Sequence, residues 1–292
     1  MLDFPANSVF NPAATMVEDG SVVLLIRVED RRGLSSIYVA RSADGETGFS
    51  VDTTPLLAPD PDRLTCEWGF EDARVSFVPE MDRYVITCTA YGPPGPCVYL
   101  ATTKDFRVLE HEAVVMTPED KNAAVFPRRI NGCWLMLHRP VVMITASADI
   151  WLSRSDDLHS WHDPQPVMVR HGQGLWDSVR IGIGPPPIEL RQGWLQLYHG
   201  VRNSPAGPIY RLGAALLDLE EPWNVIRRLP EYVMAPQEPY ERVGDVNNVI
   251  FPCGLVRRDD ALTIYYGAAD TTVCVATASV TEIVAALFDH GK

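Results

Sequence analysis

An internal repeat is the feature that most constrains how this chain of 292 residues can fold. A strand-like segment that ends in small residues and a polar turn begins at Tyr38 and recurs at Tyr99, Trp151, Leu212 and Val273. The starts of these segments are 61, 52, 61 and 61 residues apart. A nearly fixed period of this length indicates an array of similar structural units.

Two further series repeat with nearly the same period. A strand-length series rich in β-branched, aromatic and aliphatic residues precedes the first one in every unit: Val22–Arg27, Tyr84–Thr89, Trp134–Arg139, Trp194–His199 and Leu262–Gly267. A third series lies earlier still and often contains proline: Phe10–Ala14, Glu71–Val75, Phe126–Ile130, Gly184–Ile188 and Phe251–Gly254. Because it comes first in each unit, we expect the third series to form the innermost strands.

Together the three series predict five units of about 58 residues, each with several strands. Units of this length are typical of β-propellers, in which each unit is one blade. The strand-like composition excludes a solenoid of helices, and a two-sheet sandwich has no need of five copies. We therefore predict an all-β fold, a five-bladed β-propeller that forms a single domain over residues 1–292. Residues 281–288 have helical spacing and are expected to form a short closing helix.

The charge balance narrows the class of partner. The 25 Lys and Arg against 38 Asp and Glu give a formal net charge of −13. A chain this acidic is a poor candidate for binding nucleic acid or an anionic membrane. No apolar run approaches the ~20 residues that a membrane-spanning helix needs. The first residues lack the basic and apolar regions of a secretory signal, so we expect a cytoplasmic protein.

The six cysteines agree with that expectation. None of them form a C-x-x-C pair, and most lie inside apolar runs, which favours free thiols in a reducing compartment over disulfides or zinc. No short-spaced group of histidines, cysteines and carboxylates predicts a metal site.

Polar residues at equivalent positions of different units point to a site at the central channel of the propeller. The candidates in the first segments or close to them are Asn11, Asp72, Arg128, Arg180 and Asn248. The candidates at or just beyond the ends of the second segments are Arg27, Arg139, His199 and Asp270. A symmetric scaffold would carry similar residues at these positions, so their differences predict a ligand site.

Each candidate also has a purely structural interpretation. Adjacent strand residues point to opposite faces, so only one of Glu71 and Asp72 is expected to face the channel. Asp72 then either enters the site or pairs with Arg74. The arginines taken singly fit ion pairs between blades. His199 fits a core histidine with satisfied hydrogen bonds, and Trp176 fits either the core or a platform for stacking a sugar.

Several short motifs follow one another along nearly the whole chain. They include Phe10–Ala13, Glu71–Arg74, Phe126–Arg128, Leu137–Pro140, Arg180–Gly182, Tyr198–Val201, Val246–Val249 and Tyr265–Asp270. In this order they resemble the conserved motifs of glycoside hydrolase family 130, the mannoside phosphorylases. The fold that the resemblance implies is a five-bladed propeller, in agreement with the repeat.

The resemblance implies the reversible phosphorolysis of β-mannosides, which releases α-mannose 1-phosphate. It assigns the general acid to Asp72, which stands at the aspartate of the family's Glu-Asp-Pro-Arg motif and would act through the sugar's 3-hydroxyl as a proton relay. The phosphate ligands that it implies are Arg128 or Arg139, Arg180, His199 and Tyr210. The mannosyl ligands that it implies are Asn11, Arg27 and Asp270, to which we add Asn248 for its position. Self-association is expected because family members often assemble.

Phosphorolysis suits this set of residue types. An inverting glycosidase needs an acid and a second carboxylate that activates water. A phosphorylase needs the acid alone, together with cations that hold phosphate in line with the anomeric carbon. Inorganic phosphate is then a co-substrate, and no metal or organic cofactor is required. Because Asp72 must be protonated to act as an acid, we expect partial burial to raise its pKa.

Some points stay open from the sequence. Hydrolysis of β-mannosides and non-catalytic sugar binding are the competing functions, although the retained basic residues favour phosphorolysis. The linkage, β-1,2 or β-1,4, and the acceptor sugar are also open. Ala73 replaces the family's proline, which is expected to loosen the backbone beside Asp72. Arg180 stands where many members have lysine, so the charge is kept while the geometry changes.

Overall fold

The computed structural model describes residues 2–142, 147–172 and 174–291. Over these ranges the protein is an all-β structure with two α-helices, and its strands form four sheets in chain order. The first sheet contains two antiparallel units that are joined by one parallel bridge between Ser35 and Gly69, so five successive units can be distinguished. Unit 1 contains β1 (Ser8–Met16), β2 (Val22–Glu29), β3 (Ser35–Ser42) and β4 (Ser50–Val51). Unit 2 contains β5 (Gly69–Val78), β6 (Arg83–Tyr91), β7 (Cys97–Thr103) and β8 (Glu110–Met116).

The later units follow the same order. Unit 3 contains β9 (Asp120–Val125), β10 (Trp134–Val142), β11 (Ser147–Ala148), β12 (Ile150–Ser155) and β13 (His162–Met168). Unit 4 contains β14 (Arg180–Ile183), β15 (Ile188–Leu190), β16 (Gly193–Ser204), β17 (Gly207–Leu217) and β18 (Val225–Arg228). A short helix α1 (Pro239–Arg242) precedes unit 5, which contains β19 (Ile250–Arg258), β20 (Ala261–Ala268) and β21 (Thr272–Ser279).

The predicted repeat is confirmed for two of its three series and is partly wrong for the third. The second series lies in β2, β6, β10, β16 and β20, and the first series begins in β3, β7, β12, β17 and β21. In units 3 and 4, however, the first strands are β9 and β14, and the predicted segments begin just after them, at Phe126 and Gly184. Proline cannot donate to a strand ladder, so alignment on proline moved the prediction beyond these strands.

The hydrophobic cores lie between consecutive units, because each sheet buries both faces. Separate clusters join unit 1 to unit 2, unit 2 to unit 3, unit 3 to unit 4 and unit 4 to unit 5. A further cluster joins unit 5 to unit 1 through Val256 and Tyr265, which pack against Leu24 and its neighbours. Each fully buried aliphatic or aromatic side chain contributes roughly 1.5–3 kcal/mol, so every unit depends on both of its neighbours.

The chain ends in helix α2 (Val280–His290), which extends beyond both ends of the predicted segment 281–288. Its first turn is capped by Ser279, whose side chain accepts a hydrogen bond from the Glu282 amide. The helix buries Val280, Ile283 and Leu287 in the cluster that unit 4 shares with unit 5. Neither helix of the described ranges has the length and apolar character needed to cross a membrane. All six cysteines are free thiols.

A buried arginine connects units that are not consecutive. Arg74 on β5 is 1% exposed, and its guanidinium donates to the carbonyl oxygens of Gly184 at 3.1 Å and Ile183 at 3.2 Å in unit 4. It also donates to the carbonyl oxygen of Asp72 at 2.6 Å. The three carbonyls therefore depend on one cation that is far from solvent.

We predict that Arg74→Met lowers the free energy of unfolding by about 3 kcal/mol or more, because three buried carbonyl oxygens lose their charged donor. Arg83→Met is the matched control, since Arg83 is partly exposed and pairs with Glu110 inside unit 2. Its loss should be about 0.5 kcal/mol or less. Urea unfolding measures both changes, and equal losses would contradict the proposed connection.

Candidate functional site

A cavity of about 290 Å³ gathers most of the candidate residues from all five units. It is lined by Asn11, Arg27, Glu71, Asp72, Lys121, Asn122, Arg139, Arg180, His199, Tyr210, Val246, Val249, Phe251 and Asp270. A larger groove of about 640 Å³ between units 5 and 1 is lined mainly by apolar side chains. The smaller cavity is the candidate site because titratable side chains converge there.

Three equivalent bulges turn polar side chains into this cavity. The first strands of units 1, 2 and 3 each shift register by one residue against their second strands. At each shift an Asn or Asp takes the left-handed conformation: Asn11 with φ 47°, Asp72 with φ 48° and Asn122 with φ 53°. Asn and Asp tolerate this conformation better than most residues. The residue type that the backbone requires is thus also one that binds polar ligands.

The bulge corrects the expectation that only one of two adjacent carboxylates could face the channel. Glu71 and Asp72 both line the cavity, because the left-handed residue breaks the alternation of the strand. The Asp72 Oδ1 accepts hydrogen bonds from Asn11 Nδ2 at 2.8 Å and from an Arg27 guanidinium nitrogen at 3.2 Å. Arg74 contacts the backbone carbonyl of Asp72 rather than its carboxylate. The carboxylate of Asp72 is therefore fixed by units 1 and 2 together.

The charge on Arg27 is shared among three carboxylates. Its guanidinium lies 3.1 Å from Glu29, 3.1 Å from Glu71 and 3.2 Å from Asp72, and its Nε donates to Ser35 at 2.9 Å. Burial alone would lower the pKa of Arg27, but the three carboxylates outweigh it and raise the pKa above its ordinary value. Arg27 is therefore a cation at neutral pH.

The pKa that we expected for Asp72 is wrong in direction. Burial favours the protonated form, but Arg27 and then Arg74 and Lys121 favour the carboxylate, as does the hydrogen bond from Asn11. These cations hold the pKa of Asp72 below its ordinary value. The expectation considered burial and left out the neighbouring charges, so in this structure Asp72 is ionised at neutral pH.

Asp270 shows the opposite behaviour. Burial, and next the negative charge of Asp72, raise the pKa of Asp270 to about 7, although Arg27 opposes the shift. Its side chain forms no hydrogen bond with any residue that the structure describes. The cavity therefore holds two carboxyl groups whose surroundings separate their pKa values, one ionised and one able to carry a proton near neutrality.

The opposite side of the cavity is basic. Neither Arg139 nor Arg180 forms an ion pair with a carboxylate in the part of the chain that the structure covers. Arg180 donates to the Tyr210 hydroxyl at 2.6 Å, whereas the buried Nε of Arg139 has no partner. Burial, and next Arg180, lower the pKa of Arg139 to about 10, so it remains a cation at neutral pH. This side of the cavity therefore carries two guanidinium groups whose charge no ion pair in the described ranges compensates.

His199 lies against this basic group as an uncharged side chain. Burial, and then the charges of Arg139, Arg74 and Arg180, lower the pKa of His199 well below its ordinary value. Its Nδ1 is buried and has no hydrogen-bond partner, so it is not the satisfied core histidine of the structural interpretation. Gly182 allows this ring to approach, because a Cβ there would lie 2.5 Å from the imidazole. A neutral histidine contributes a hydrogen bond to a ligand rather than a charge.

Three candidates lie outside the cavity. Arg128 forms a two-pronged ion pair with Glu189, with both distances 2.9 Å, and stacks over Trp194. It follows the real first strand of unit 3, so it is not equivalent to Asp72. Asn248 takes a left-handed conformation with φ 59°, and its carbonyl accepts from the Tyr210 amide at 3.0 Å. The backbone of Asn248 therefore contacts Tyr210, which lines the cavity, whereas Asn248 itself does not line it. Trp176 is buried in the core between units 3 and 4 and offers no stacking platform.

Sequence reasoning missed two residues of the site, Lys121 and Asn122. Lys121 Nζ lies 3.7 Å from the Glu71 carboxylate, and the buried Asn122 Oδ1 has no partner. A signal was present, because Lys121–Ala124 has the same order of Asn or Asp followed by small residues as Phe10–Ala13. In the described ranges no group of three histidines, cysteines or carboxylates is placed to hold a metal ion.

Comparison with known proteins identifies similar chains and folds. Residues 5–288 match the glycoside hydrolase family 130 model, described as β-1,4-mannooligosaccharide phosphorylase. The chain is 39% identical over 251 residues to a β-1,2-mannobiose phosphorylase of Listeria innocua, covering 86% of this chain and 68% of that protein. It is 37% identical to a β-1,4-mannooligosaccharide phosphorylase of Ruminococcus albus, covering 98% of this chain and 87% of that protein.

A solved structure is similar to this chain in its fold as well as in its sequence. The β-1,2-mannobiose phosphorylase from Listeria innocua, in complex with β-1,2-mannobiose, superposes with a TM-score of 0.89 at 31% identity. The match covers 98% of this chain and 93% of that one.

We predict that inorganic phosphate raises the melting temperature of the protein, because an anion neutralises the unpaired Arg139 and Arg180 in the folded state only. Arg139→Met should abolish most of this shift. Arg128→Met should retain it, since Arg128 is already paired outside the cavity. Thermal unfolding with phosphate, against chloride at equal ionic strength, measures the difference, and a shift that depends on Arg128 instead would refute this location.

Proposed function

Because the chain belongs to glycoside hydrolase family 130, we propose that it catalyses the reversible phosphorolysis of β-mannosides. In one displacement with inversion, phosphate attacks the anomeric carbon and α-mannose 1-phosphate leaves the enzyme with the shortened sugar. The substrates are β-1,2- or β-1,4-linked manno-oligosaccharides, since relatives named for both linkages are similar to this chain over most of its length.

The observation that carries this proposal is the division of charge inside the cavity. Arg27 is the cation of the acidic side and is already paired with carboxylates. Arg139 and Arg180 have no such partner, so the basic side is available to a second anion. A glycoside phosphorylase needs an anion site beside a sugar site, whereas a hydrolase would place a carboxylate there to activate water.

In this proposal the basic side binds phosphate. The guanidinium groups of Arg139 and Arg180 supply charge and directed donors, and the Tyr210 hydroxyl adds a hydrogen bond. His199 adds a neutral contact, and Asn122 lies next to it with an unsatisfied buried oxygen. Fixing phosphate against the sugar replaces a bimolecular encounter and so accounts for much of the rate.

The acidic side binds the mannosyl unit and supplies the proton. Asn11, Arg27 and Asp270 contact the sugar, and Asp72 exchanges a proton with the leaving oxygen by way of the 3-hydroxyl. In the resting site Asp72 is ionised, which suits acceptance of a proton in the synthetic direction. Phosphorolysis needs a protonated donor, and Asp270 is the carboxyl group of the same cavity that holds a proton near neutral pH. We assign to Asp270 the storage of that proton.

The scaffold of this site is proposed to be a five-bladed propeller made by a single domain. The five units support this arrangement because their cores form a cycle, with unit 5 packed against unit 1. The first strands also contact one another, β1 with β5 and β19, β5 with β9, and β9 with β14. The free cysteines support a reducing, cytoplasmic location.

We expect Asp72→Asn to lower kcat for phosphorolysis by roughly 10²- to 10⁴-fold, since the amide cannot exchange the proton. The KM for phosphate should be nearly unchanged. Glu71→Gln is the matched control on the adjacent residue and should cost less than tenfold. Both variants are assayed with β-1,2- and β-1,4-mannobiose by measuring α-mannose 1-phosphate and free mannose separately.

Two outcomes of this assay would reject phosphorolysis, and a third would reject the role of Asp72 alone. Free mannose released equally with and without phosphate would identify a hydrolase. Mannoside binding without either product, in both directions of the reaction, would identify a sugar-binding protein. An Asp72→Asn variant with nearly full activity would leave phosphorolysis intact and remove the role of Asp72.

The rate of phosphorolysis should fall as pH rises through about 7, because the raised pKa of Asp270 means that its proton is present below that pH and lost above it. Asp270→Asn holds no acidic proton at any pH, so it should lower the rate at neutral pH and remove this dependence. Phosphate itself titrates in the same range, so the difference between the two profiles of kcat/KM is the informative quantity. Identical profiles would contradict proton storage on Asp270.

A further inference from the structure

Three buried side chains of unit 3 form a chain of hydrogen bonds behind the basic side of the cavity. Asp120 Oδ2 lies 2.6 Å from His138 Nδ1, and His138 Nε2 lies 2.9 Å from Ser153 Oγ. Their exposed fractions are 6%, 2% and 1%. Since a carboxylate accepts and cannot donate, His138 donates from Nδ1 to Asp120, while its Nε2 shares a hydrogen bond with the Ser153 hydroxyl.

Asp120, His138 and Ser153 are connected in the same order as the catalytic triad of a serine hydrolase. Ser153, however, cannot act as a nucleophile. Ser153 is buried, and neither it nor His138 lines the cavity. A nucleophilic serine must reach a substrate carbon, and this hydroxyl has no path to one. The chain of hydrogen bonds must therefore act through the residues next to it.

Those neighbours line the cavity, and two of them, Asn122 and Arg139, belong to its basic side. Asp120 precedes Lys121 and Asn122 on β9, and His138 precedes Arg139 on β10. Lys121 is paired with Arg139 in the strand register, and the bulge at Asn122 lies opposite His138. The Asp120–His138 hydrogen bond thus spans the two strands at the bulge, where the ordinary ladder is interrupted.

Asp120 also acts on Arg139 through its charge. Burial lowers the pKa of Arg139, and the negative charge of Asp120 is among the factors that oppose this shift. Both Asp120 Oδ1 and Arg139 Nε are buried without a hydrogen-bond partner. In the described ranges His138 is the hydrogen-bond partner that fixes the Asp120 carboxylate, whose charge favours the cationic form of Arg139.

We propose that Asp120 and His138 are positioning residues, which hold Arg139 and the Lys121–Asn122 bulge in the arrangement that binds phosphate. This inference rests on the proposed function, because it assigns a role in binding the nucleophile of that reaction. Neither residue touches substrate.

Two substitutions of His138 separate positioning from packing. In His138→Asn the side-chain amide nitrogen takes the place of Nδ1 and can still donate to Asp120. In His138→Gln the amide reaches the place of Nε2, so the contact with Ser153 survives and the contact with Asp120 is lost. Both variants replace the ring by a smaller amide, so a loss caused by packing alone should affect them alike.

We expect His138→Gln to raise the KM for phosphate roughly ten- to a hundredfold, as a misplaced binding group commonly does, with the KM for the mannoside unchanged. His138→Asn and Ser153→Ala should stay within about threefold of the wild type. Phosphate affinity measured by calorimetry on the same proteins reports the effect without turnover, and melting temperatures report folding.

Equal phosphate affinities of the Asn and Gln variants would overturn the proposal, as would a loss of mannoside affinity equal to that of phosphate. A wild-type enzyme that phosphorolyses no mannoside would instead refute the proposed function. In that case the calorimetric comparison of the two variants still decides whether Asp120 and His138 shape an anion site.

Discussion

The guanidinium of Arg74 is the interaction on which both the scaffold and the cavity depend. It holds the carbonyl of Asp72 in unit 2 and the carbonyls of Ile183 and Gly184 in unit 4, across units that are not consecutive. A buried cation is stable only when its donors are satisfied, so this geometry permits little movement. The same contact fixes the bulge that turns Asp72 into the cavity. The backbone beside Ala73, which we expected to be loose, is therefore restrained at the Asp72 carbonyl.

One side of the cavity is basic although the protein as a whole is acidic. A net charge of −13 repels phosphate at long range, although salt screens this repulsion beyond ~8 Å. Within the cavity the basic side is set by Arg139 and Arg180, which form no ion pair with a carboxylate of the residues that the structure describes. Arg27, in contrast, is surrounded by carboxylates and lowers the pKa of Asp72. Phosphate and sugar can thus occupy one cavity without competing for the same cation.

The sequence predicts the strands and most of the site, and its failures have physical causes. The second strands were correct because β-branched and aromatic runs report burial on both faces of a sheet. The first strands of units 3 and 4 were missed because proline marks the end of these strands. Arg128 was consequently included in the site, and Asn122, which corresponds to Asn11 and Asp72, was overlooked. The alternation of side chains along a strand predicted that only one of Glu71 and Asp72 faces the channel. This prediction failed because a left-handed bulge cannot be recognised from the polarity of the residues. The direction of the Asp72 pKa depends on three cations brought together only by folding.

A crystal structure of the protein with α-mannose 1-phosphate bound tests the central claim most directly, because this product contains both halves of the proposed site. The account predicts a phosphoryl group within hydrogen-bond distance of Arg139, Arg180 and the Tyr210 hydroxyl. It also predicts a mannosyl ring between these groups and Asp72, with Asp270 on the sugar. A phosphoryl group bound at Arg27, or a product bound outside the cavity, would contradict the division into a phosphate side and a sugar side.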